Sequence, residues 1–512
     1  MRKILPLVIL LACTALSCKK SFLRVVPKDS FTDASFYKTE GQFKLAVVAA
    51  YAPLRDVLLN DYFTSEMHSD NTVYQSKPSD RGTAIVEREN ISDFRSTTTN
   101  AYAAAVWQHS YTGISRCNIV IERLKTSELP DSIRTRLDGQ VKFLRALNYF
   151  KLVRLFGGVP LFLKEVSKAD DAFLPRSSEA EVYNQIIADA KDAISELVAP
   201  ARFPQTGEAT KGSATMLLAD VYVTQKKWGE AEALLTTLPQ MGYALNANYA
   251  DAFTVTNKNS KESLFEVQYL EGTATGTTPN ILGNNHFLPR TTNTSLLTGV
   301  LINNNTTGGW NTPSQDLISS YEAGDKRLDA SIGIIEGTYN ASDALSYQAV
   351  KSVVNYTPAA GRTGVPYIKK YLHGPLTFAT GSSDNFPIYR YADALLLLAE
   401  AQNEQGKSGL TSLNAVRTRA GLSAITAGDQ ATLRDLIFRE RRIELAFENH
   451  RWQDLVRTGR AVAVINAFGV KLKQQVNYLA PDAYVIDANK LLFPIPQTDI
   501  ELNPAIKQNP GY

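Results

Sequence analysis

Apolar residues recur at intervals of three and four over two long blocks of the chain, and this periodicity limits the fold more than any other feature of the sequence. The first block covers about residues 38–240 and the second about 387–467. Stretches such as EGQFKLAVVAAYAPLRDVLL and SIRTRLDGQVKFLRALNYFKLVRLF would give helices an apolar face. We therefore predict a predominantly all-α fold.

The ends of several helices can be placed from single residues. Ser178 and Glu181 have the spacing of a capping box at the start of a helix. Gly157 follows an apolar helical pattern and is expected to end it. The stretch KGSATMLLADVYVTQKKWGEAEALLTTLPQMG predicts two antiparallel helices with a tight turn near Lys227. This pair resembles a tetratricopeptide unit, although the sequence has no strict repeat of about 34 residues.

Two polar, loop-rich inserts interrupt this helical scaffold, at about residues 62–100 and 271–385. They are rich in Gly, Thr, Asn and Ser, as in GTATGTTPN and INNNTTGGWNTPS. Long irregular stretches inside a compact protein are typical of functional loops. Since no linker divides the chain, we predict one domain over residues 18–512.

The first residues, MRKILPLVILLACTALSCKK, have the order of an export signal. Arg2 and Lys3 precede an apolar run that is too short to span a bilayer. The residues ALSC place small side chains before Cys18, as in a lipoprotein signal, so we predict removal of residues 1–17 and acylation of Cys18. An ordinary secretory signal cut nearby is the alternative, and Cys13 is a less favourable lipidation site. Either signal requires export.

Charge, cysteine content and missing motifs exclude several classes of function. The formal net charge of +3 falls to about +1 when the signal is removed, which argues against a nucleic-acid binder. Cys117 is the one thiol left after acylation of Cys18, so no intramolecular disulfide is expected. There is no G-x-S-x-G, P-loop, H-E-x-x-H or C-x-x-C motif. We predict no enzyme activity and no cofactor, and leave open a calcium ion bound by loop oxygens.

The charged stretch ERRIELAFENHRWQDLVRTGR, residues 440–460, requires a separate interpretation. On a continuous helix Glu440, Glu444 and Glu448 would share one face, at a spacing that carboxylate chemistry could use. Catalysis needs one carboxyl kept protonated, whereas Arg441 and Arg451 are placed to keep these ionised. We therefore predict ion pairs that stabilise the fold. A surface glycosidase would need unlike carboxyls in the inserts, and no spacing there favours one.

Several segments, in order along almost the whole chain, resemble the signatures of SusD/RagB-family outer-membrane lipoproteins. They are SCKKSFLRVVPKDSFTDASFYK, KFLRALNYFKLVRLFGGVPL, PSQDLISSYEAGDKR, RYADALLLLAEAQNE, RERRIELAFENHRWQDLVRTGR and LLFPIPQTDIELNPAIKQNPGY. The resemblance implies a helical scaffold of tetratricopeptide-like pairs, anchored through Cys18 to the outer membrane at the cell surface of a Bacteroidota-type bacterium. It also implies a protein that captures glycan and caps a SusC-like TonB-dependent transporter. Residues 271–383 match only in patches.

The inserts supply the candidate ligand-binding residues, because sugars stack on aromatic faces and bond to polar side chains beside them. We expect the glycines before Trp310 to expose its indole, or else Trp310 to anchor the loop. The candidate set is Trp310 with Asn311, Tyr74 with Arg81, and His286 with Phe287 and Arg290.

Two further functions fit the same scaffold. A branch of the resembling family captures peptides, which would require a charged or backbone-pairing groove. The chain could also be a transporter lid that has no ligand affinity of its own.

Overall fold

The structure is a computed structural model that describes residues 36–78, 80–271, 284–341, 344–376 and 381–512. The predicted export signal and Cys18 lie outside these residues, so the lipidation site stays a prediction. Among the described residues, no helix is both long and apolar enough to cross a membrane.

Helices make up about half of the described chain. In order they are α1 (Glu40–Tyr51), α2 (Pro53–Asp61), α3 (Thr83–Ser92), α4 (Ala101–Lys125), α5 (Asp131–Phe156), α6 (Glu179–Glu196), α7 (Lys211–Thr224), α8 (Trp228–Leu235), α9 (Asn284–Phe287), α10 (Ser295–Thr298), α11 (Gln315–Ile318), α12 (Lys326–Ser331), α13 (Tyr391–Glu404), α14 (Leu410–Arg419), α15 (Gln430–Glu444), α16 (Arg451–Arg457), α17 (Ala461–Gln475) and α18 (Gln497–Leu502). A π-helical turn, Tyr62–Glu66, follows α2, and short 3₁₀ turns lie at Ala169–Ala172, Leu238–Met241, Tyr249–Ala252 and Ala488–Leu491.

The strands form three small antiparallel sheets. They are β1 (Thr72–Val73), β2 (Ser263–Val267), β3 (Thr312–Pro313), β4 (Ile332–Tyr339), β5 (Leu345–Ser352), β6 (Thr363–Ile368) and β7 (Phe386–Arg390). β1 pairs with β3, β2 pairs with β7, and β4 lies between β5 and β6. The expected predominantly helical fold is confirmed.

The predicted helix ends are also confirmed. Ser178 and Glu181 form the capping box of α6, because the Glu181 amide donates to Ser178 Oγ at 3.3 Å and the Ser178 amide donates to Glu181 Oε2 at 2.8 Å. α5 ends at Phe156, and Gly157 has a φ of 76° that suits glycine. The turn between α7 and α8 is made by Gln225–Lys227, with Lys226 in the left-handed region.

The interpretation of the inserts as loops is wrong for large parts of them. The first insert contains the π-helical turn and α3, and the second contains the sheet β5–β4–β6. All of β4 from Ile332 to Glu336 is buried, so it lacks the apolar–polar alternation that identifies a strand from sequence. Ile335 lies opposite Val350 and Val365 and packs in a small core of its own with Leu288.

The charged stretch 440–460 is structural, as predicted, but its geometry was predicted wrongly. α15 ends at Glu444, and Phe447 and Asn449 have φ values of 68° and 64°, so Glu448 is not on the same helix. Glu440, Glu444 and Glu448 are all buried. Their cationic partners are Arg327, Arg390, Arg417, Arg419 and Lys370. Burial raises the pKa of the Glu448 carboxyl, but Arg390 and Lys370 outweigh this and lower it below its ordinary value.

Candidate functional site

The two inserts meet, and this brings most of the predicted ligand-binding residues together. Strand β1 of the first insert pairs with β3 of the second, with Thr72 opposite Pro313. Beside this pair the Gln75 amide donates to Gly309 O at 2.8 Å, and the Trp310 amide donates to His286 O at 2.9 Å. Tyr74, His286, Phe287, Arg290, Trp310 and Asn311 therefore lie in one region, which could not be read from their separation in sequence.

The expectation that glycines expose Trp310 is wrong, since its side chain is 0% exposed. Gly309 has a φ of 83°, and a Cβ there would lie 2.9 Å from Gln75 Oε1. A Cβ on Gly308 would lie 2.2 Å from Asn304 Nδ2. Because these glycines let the backbone pack closely, they bury the indole instead of presenting it. Trp310 therefore anchors the loop, which was the alternative to an exposed indole.

Asn311 and Phe287 are also buried and hold the inserts to the scaffold. Asn311 Oδ1 accepts a hydrogen bond from Thr72 Oγ1 at 2.9 Å, and its Nδ2 donates to Tyr62 O at 3.3 Å. The Phe287 ring packs edge-on against Tyr62, with 4.7 Å between centroids. Neither side chain faces solvent, which contradicts a direct contact with ligand in this conformation.

Tyr74 and Arg81 do not form the pair that the sequence suggested. Tyr74 is buried, and its hydroxyl donates to Asp93 Oδ2 at 3.1 Å. Arg81 has a side chain that is 53% exposed and donates to both oxygens of Glu89, at 2.9 and 2.7 Å. Arg81 is thus accessible to a ligand and Tyr74 is not.

His286 and Arg290 hold the second insert in place. Nδ1 of the half-buried His286 lies 3.1 Å from Thr307 O. Burial, together with the charge of Arg88, lowers the pKa of His286 to about 4, so the ring is neutral at physiological pH. Arg290 is buried and donates from Nη1 to Ser76 O at 2.8 Å and from Nε to Asn305 O at 3.1 Å. It therefore ties the first insert to the second.

The structure adds four residues that the sequence analysis missed: Phe63, Lys77, Arg88 and Tyr102. The Arg88 guanidinium carbon lies 4.8 Å from the ring centroid of Tyr102, 5.2 Å from that of Trp310 and 5.3 Å from that of Phe63. Arg88 lies on α3 inside a segment read as loop, and Tyr102 lies just outside the insert boundary. Had TAIVERENIS been predicted as a helix, Arg88 would have been placed on a rigid element, next to the buried Glu89.

Lys77 is a second cation that contacts the Trp310 ring. Its side chain is 0% exposed, and Nζ lies 4.5 Å from the Trp310 centroid and donates to Thr306 O at 2.7 Å. Burial, together with the charges of Arg290 and Arg88, lowers the pKa of Lys77 to about 7. We call the group Phe63, Lys77, Arg88, Tyr102, His286 and Trp310 the insert junction.

The insert junction has the groups that carbohydrate recognition uses. Tyr102, Arg88 and His286 are half-buried and reach its surface, while Trp310 and Phe63 lie beneath them. The buried Trp310 Nε1 and Arg88 Nε have no hydrogen-bond acceptor among the described residues. The junction therefore has a half-buried aromatic face with two buried N–H groups near it that lack an acceptor in the described chain.

A second concavity of about 970 Å³ lies between α4 and α18. Its lining includes Trp107, Tyr111, Phe162 and Phe173, of which Phe173 is 51% exposed. This groove is an alternative aromatic surface for a ligand, away from the insert junction. No cluster of His, Cys, Asp or Glu that could hold a metal ion is found within the described ranges. The expectation of no cofactor, with a loop calcium ion left open, stays a prediction.

Two family models match the chain. One, described as the SusD family, matches residues 231–512. The chain belongs to the SusD family. The other, described as starch-binding associating with outer membrane, matches residues 30–223. The resemblance found in the sequence is therefore confirmed.

Individual relatives are distant but match over most of their length. A SusD-like protein of Formosa agariphila is 28% identical over 538 residues, which is 98% of this chain and 98% of the relative. The starch-binding protein SusD of Bacteroides thetaiotaomicron is 25% identical over 444 residues, covering 78% of this chain and 76% of that one. A solved laminarin-binding SusD-like protein is 27% identical, with a TM-score of 0.72 over 93% of this chain and 100% of its own. These similarities support the helical fold described above.

Proposed function

We propose that this SusD-family protein is a cell-surface lipoprotein that captures glycan and delivers it to a SusC-like TonB-dependent transporter. Cys18 would carry the lipid that anchors it to the outer membrane, in agreement with the outer-membrane description of the family model over residues 30–223. The names of two relatives, which refer to starch and laminarin, support a carbohydrate as the ligand.

The observation that carries the proposal is the stack of rings and cations at the insert junction. A sugar ring can pack its C–H face on the half-buried Tyr102, where the Arg88 guanidinium can donate to its hydroxyl groups. Trp310 and Phe63 support this surface from beneath. Trp310 thus positions the binding surface, and Tyr102 is the stacking platform that the sequence analysis expected Trp310 to be.

Catalysis at the insert junction is disfavoured because a substrate cannot reach the candidate acid, Asp93. Burial raises the pKa of Asp93 to about 7, which is the property that an acid catalyst needs. Asp93 is 4% exposed, and the Tyr74 hydroxyl bonds to its Oδ2. A glycosidic bond could not reach this carboxyl without displacing Tyr74. The geometry therefore supports binding without hydrolysis.

Affinity electrophoresis tests the proposal. The mature chain without its lipid would be run through gels that contain single polysaccharides, including starch and laminarin, beside Tyr102→Ala and Phe173→Ala variants. We expect at least one gel to retard the unmodified protein. Tyr102→Ala should lose this retardation and Phe173→Ala should keep it, with unchanged circular dichroism for both. A loss confined to Phe173→Ala would move the site to the groove between α4 and α18.

Two outcomes would replace the proposal. If no polysaccharide retards the protein but a peptide library is retained, the chain is a peptide-binding member of the family. If neither binds and the protein still co-purifies with a TonB-dependent transporter from outer membranes, it is a lid without its own ligand. Failure to co-purify with any transporter would overturn the delivery step alone.

A further inference from the structure

Most of the buried cations among the described residues are paired with carboxylates, and the buried Arg290 donates to the Ser76 and Asn305 carbonyls. Seven buried cationic side chains have a carboxylate oxygen within 4 Å: Arg145, Arg327, Lys370, Arg390, Arg417, Arg441 and Arg451. Lys77 is equally buried, yet no carboxylate oxygen of the described residues lies that close to its Nζ. Its acceptor is a neutral carbonyl, Thr306 O.

The half-buried Arg88, which contacts the same Trp310 ring, also lacks a paired carboxylate in the described part of the chain. It has no carboxylate within the same distance among the described residues, its Nε is buried without an acceptor, and its guanidinium lies among the Phe63, Tyr102 and Trp310 rings. Two cations that lack carboxylate partners thus contact the same indole, at 4.5 and 5.2 Å from its centroid. Contacts with rings return only part of the solvation that a buried charge loses.

The nearby carboxylates do not supply the missing charge. Glu89 is already bonded to Arg81, with 2.7 Å between Oε2 and Nη1. Asp93 accepts from Tyr74, and its raised pKa of about 7 leaves a large share of it protonated near neutral pH. Asp80 and Glu87 act on Lys77 and Arg88 only from beyond 4 Å. The insert junction therefore holds the Arg88 guanidinium, and the protonated fraction of Lys77, without a paired carboxylate from the described residues.

We propose that the insert junction selects glycans that carry anionic groups, either carboxylates or sulfate esters. This inference rests on the proposed glycan-binding function and specifies its substrate class. The anionic group bonds to the Arg88 guanidinium while the sugar ring that bears it packs on Tyr102. Lys77 adds positive potential from beneath and holds the backbone of Thr306 against the site.

Pairs of polymers that differ only in charge test the inference. Polygalacturonate would be compared with its methyl ester, and dextran sulfate with dextran, by affinity electrophoresis of the mature chain. We expect at least one charged polymer to retard the protein. Its neutral counterpart should bind about tenfold more weakly or not at all, which is the effect of losing a hydrogen bond to a charged group. The polygalacturonate pair reports carboxylate recognition and the dextran pair reports sulfate recognition.

Variants connect the preference to the site. Arg88→Gln should remove the preference for the charged polymer, whereas Arg88→Lys should retain most of it because the charge stays. Lys191→Gln removes one positive charge from an exposed position on α6 and should change nothing. Thermal melting of each variant separates a lost preference from a lost fold. Raising the ionic strength from about 0.01 M to about 1 M, where the Debye length falls from about 30 Å to about 3 Å, should weaken the charged polymer selectively.

The outcomes distinguish this inference from the function on which it rests. Equal binding of charged and neutral members, or binding of neutral glycans alone, overturns the anionic preference and leaves glycan capture standing. A preference for the charged member that survives Arg88→Gln also overturns it, because the charge is then read elsewhere. No binding of any polysaccharide, together with retention by polyglutamate, overturns both and indicates an acidic peptide as ligand.

Discussion

Replacement of Glu444 by glutamine is the sharpest test of the buried charge network around this carboxylate. The Glu444 carboxylate is 0% exposed and accepts hydrogen bonds from Arg419 at 2.6 Å, Arg390 at 3.0 Å and Arg327 at 3.1 Å. A glutamine of the same shape keeps one acceptor oxygen but turns an NH₂ group towards a guanidinium. At least one of these arginines then loses its partner in a buried site.

The magnitude follows from the pKa of this carboxyl. Burial raises the pKa of Glu444, but Arg419, Arg390 and Arg327 outweigh burial and lower it from 4.5 to about 2. At about 1.4 kcal/mol per pKa unit, the difference corresponds to about 3 kcal/mol of folding free energy. Since the folded pKa lies below the unfolded one, this stability is fully present above pH 4.5 and is lost as the pH falls through 2. Removing one partner of a buried pair typically costs about 3–5 kcal/mol.

Urea unfolding at pH 7, followed by circular dichroism, measures the first effect, and a series from pH 6 to pH 2 measures the second. We expect Glu444→Gln to unfold at a clearly lower urea concentration at pH 7 and to depend less on pH below 4.5 than the unmodified protein. Asp131→Asn is the matched control, because Asp131 also pairs with an arginine but has a side chain that is 88% exposed. Its replacement should leave the unfolding midpoint unchanged.

The reasoning is refuted if Glu444→Gln unfolds at the midpoint of the unmodified protein at pH 7. It is also refuted if the loss of stability is the same at pH 7 and at pH 2, because most of the contribution of the ionised carboxyl is gone once the pH has fallen to its folded pKa of about 2. Either result would mean that the three arginines are satisfied without the charge of Glu444.

Other substitutions test the insert junction and the core. Lys77→Met should raise stability at pH 7 by about 1–4 kcal/mol, because it removes a buried cation without a carboxylate partner, whereas Lys370→Met, which breaks a pair, should lower it. The stability gained by Lys77→Met should decrease between pH 7 and pH 10.5, because the Lys77 pKa is about 7 in the folded protein and 10.5 in the unfolded chain. A gain that stays constant over this range would contradict the prediction. Gly309→Ala should destabilise more than Gly324→Ala: both have a φ of 83°, but only Gly309 has atoms within 4 Å of an added Cβ. Burial raises the pKa of the Cys117 thiol to about 12, so iodoacetamide should modify it only after unfolding; labelling of the native protein would be the contrary result.

The helical scaffold could be predicted because its signals are local. The capping box of Ser178 and Glu181 spans one turn, and Gly157 acts through its own φ angle. Apolar spacing likewise needs only a few consecutive turns to define a helix. The strand β4 lacked such a signal, because a strand buried on both faces has no alternation and looks like a short apolar run.

The ion pairs and the ligand site depend on contacts between distant residues, so sequence spacing could not define them. The partners predicted for Glu444 and Glu448 were Arg441 and Arg451, three residues away. The structure pairs Arg441 with Asp393 and Asp454, and Arg451 with Asp70. Spacing along a helix identifies which side chains of that helix can meet. A long arginine side chain can also pair with any carboxylate that folding brings close to it.

The burial of Trp310 changes what the insert junction can recognise. An exposed indole would bind many sugars through its face alone, with little dependence on charge. A buried indole, contacted by Lys77 and by Arg88, leaves Tyr102 as the accessible ring and puts a guanidinium beside it. Keeping Lys77 charged in that position destabilises the folded chain, which is expected where a residue serves binding and not folding. The same two side chains therefore predict a lower stability and a preference for anionic ligands, and a Lys77→Met protein that gains stability should lose part of that preference.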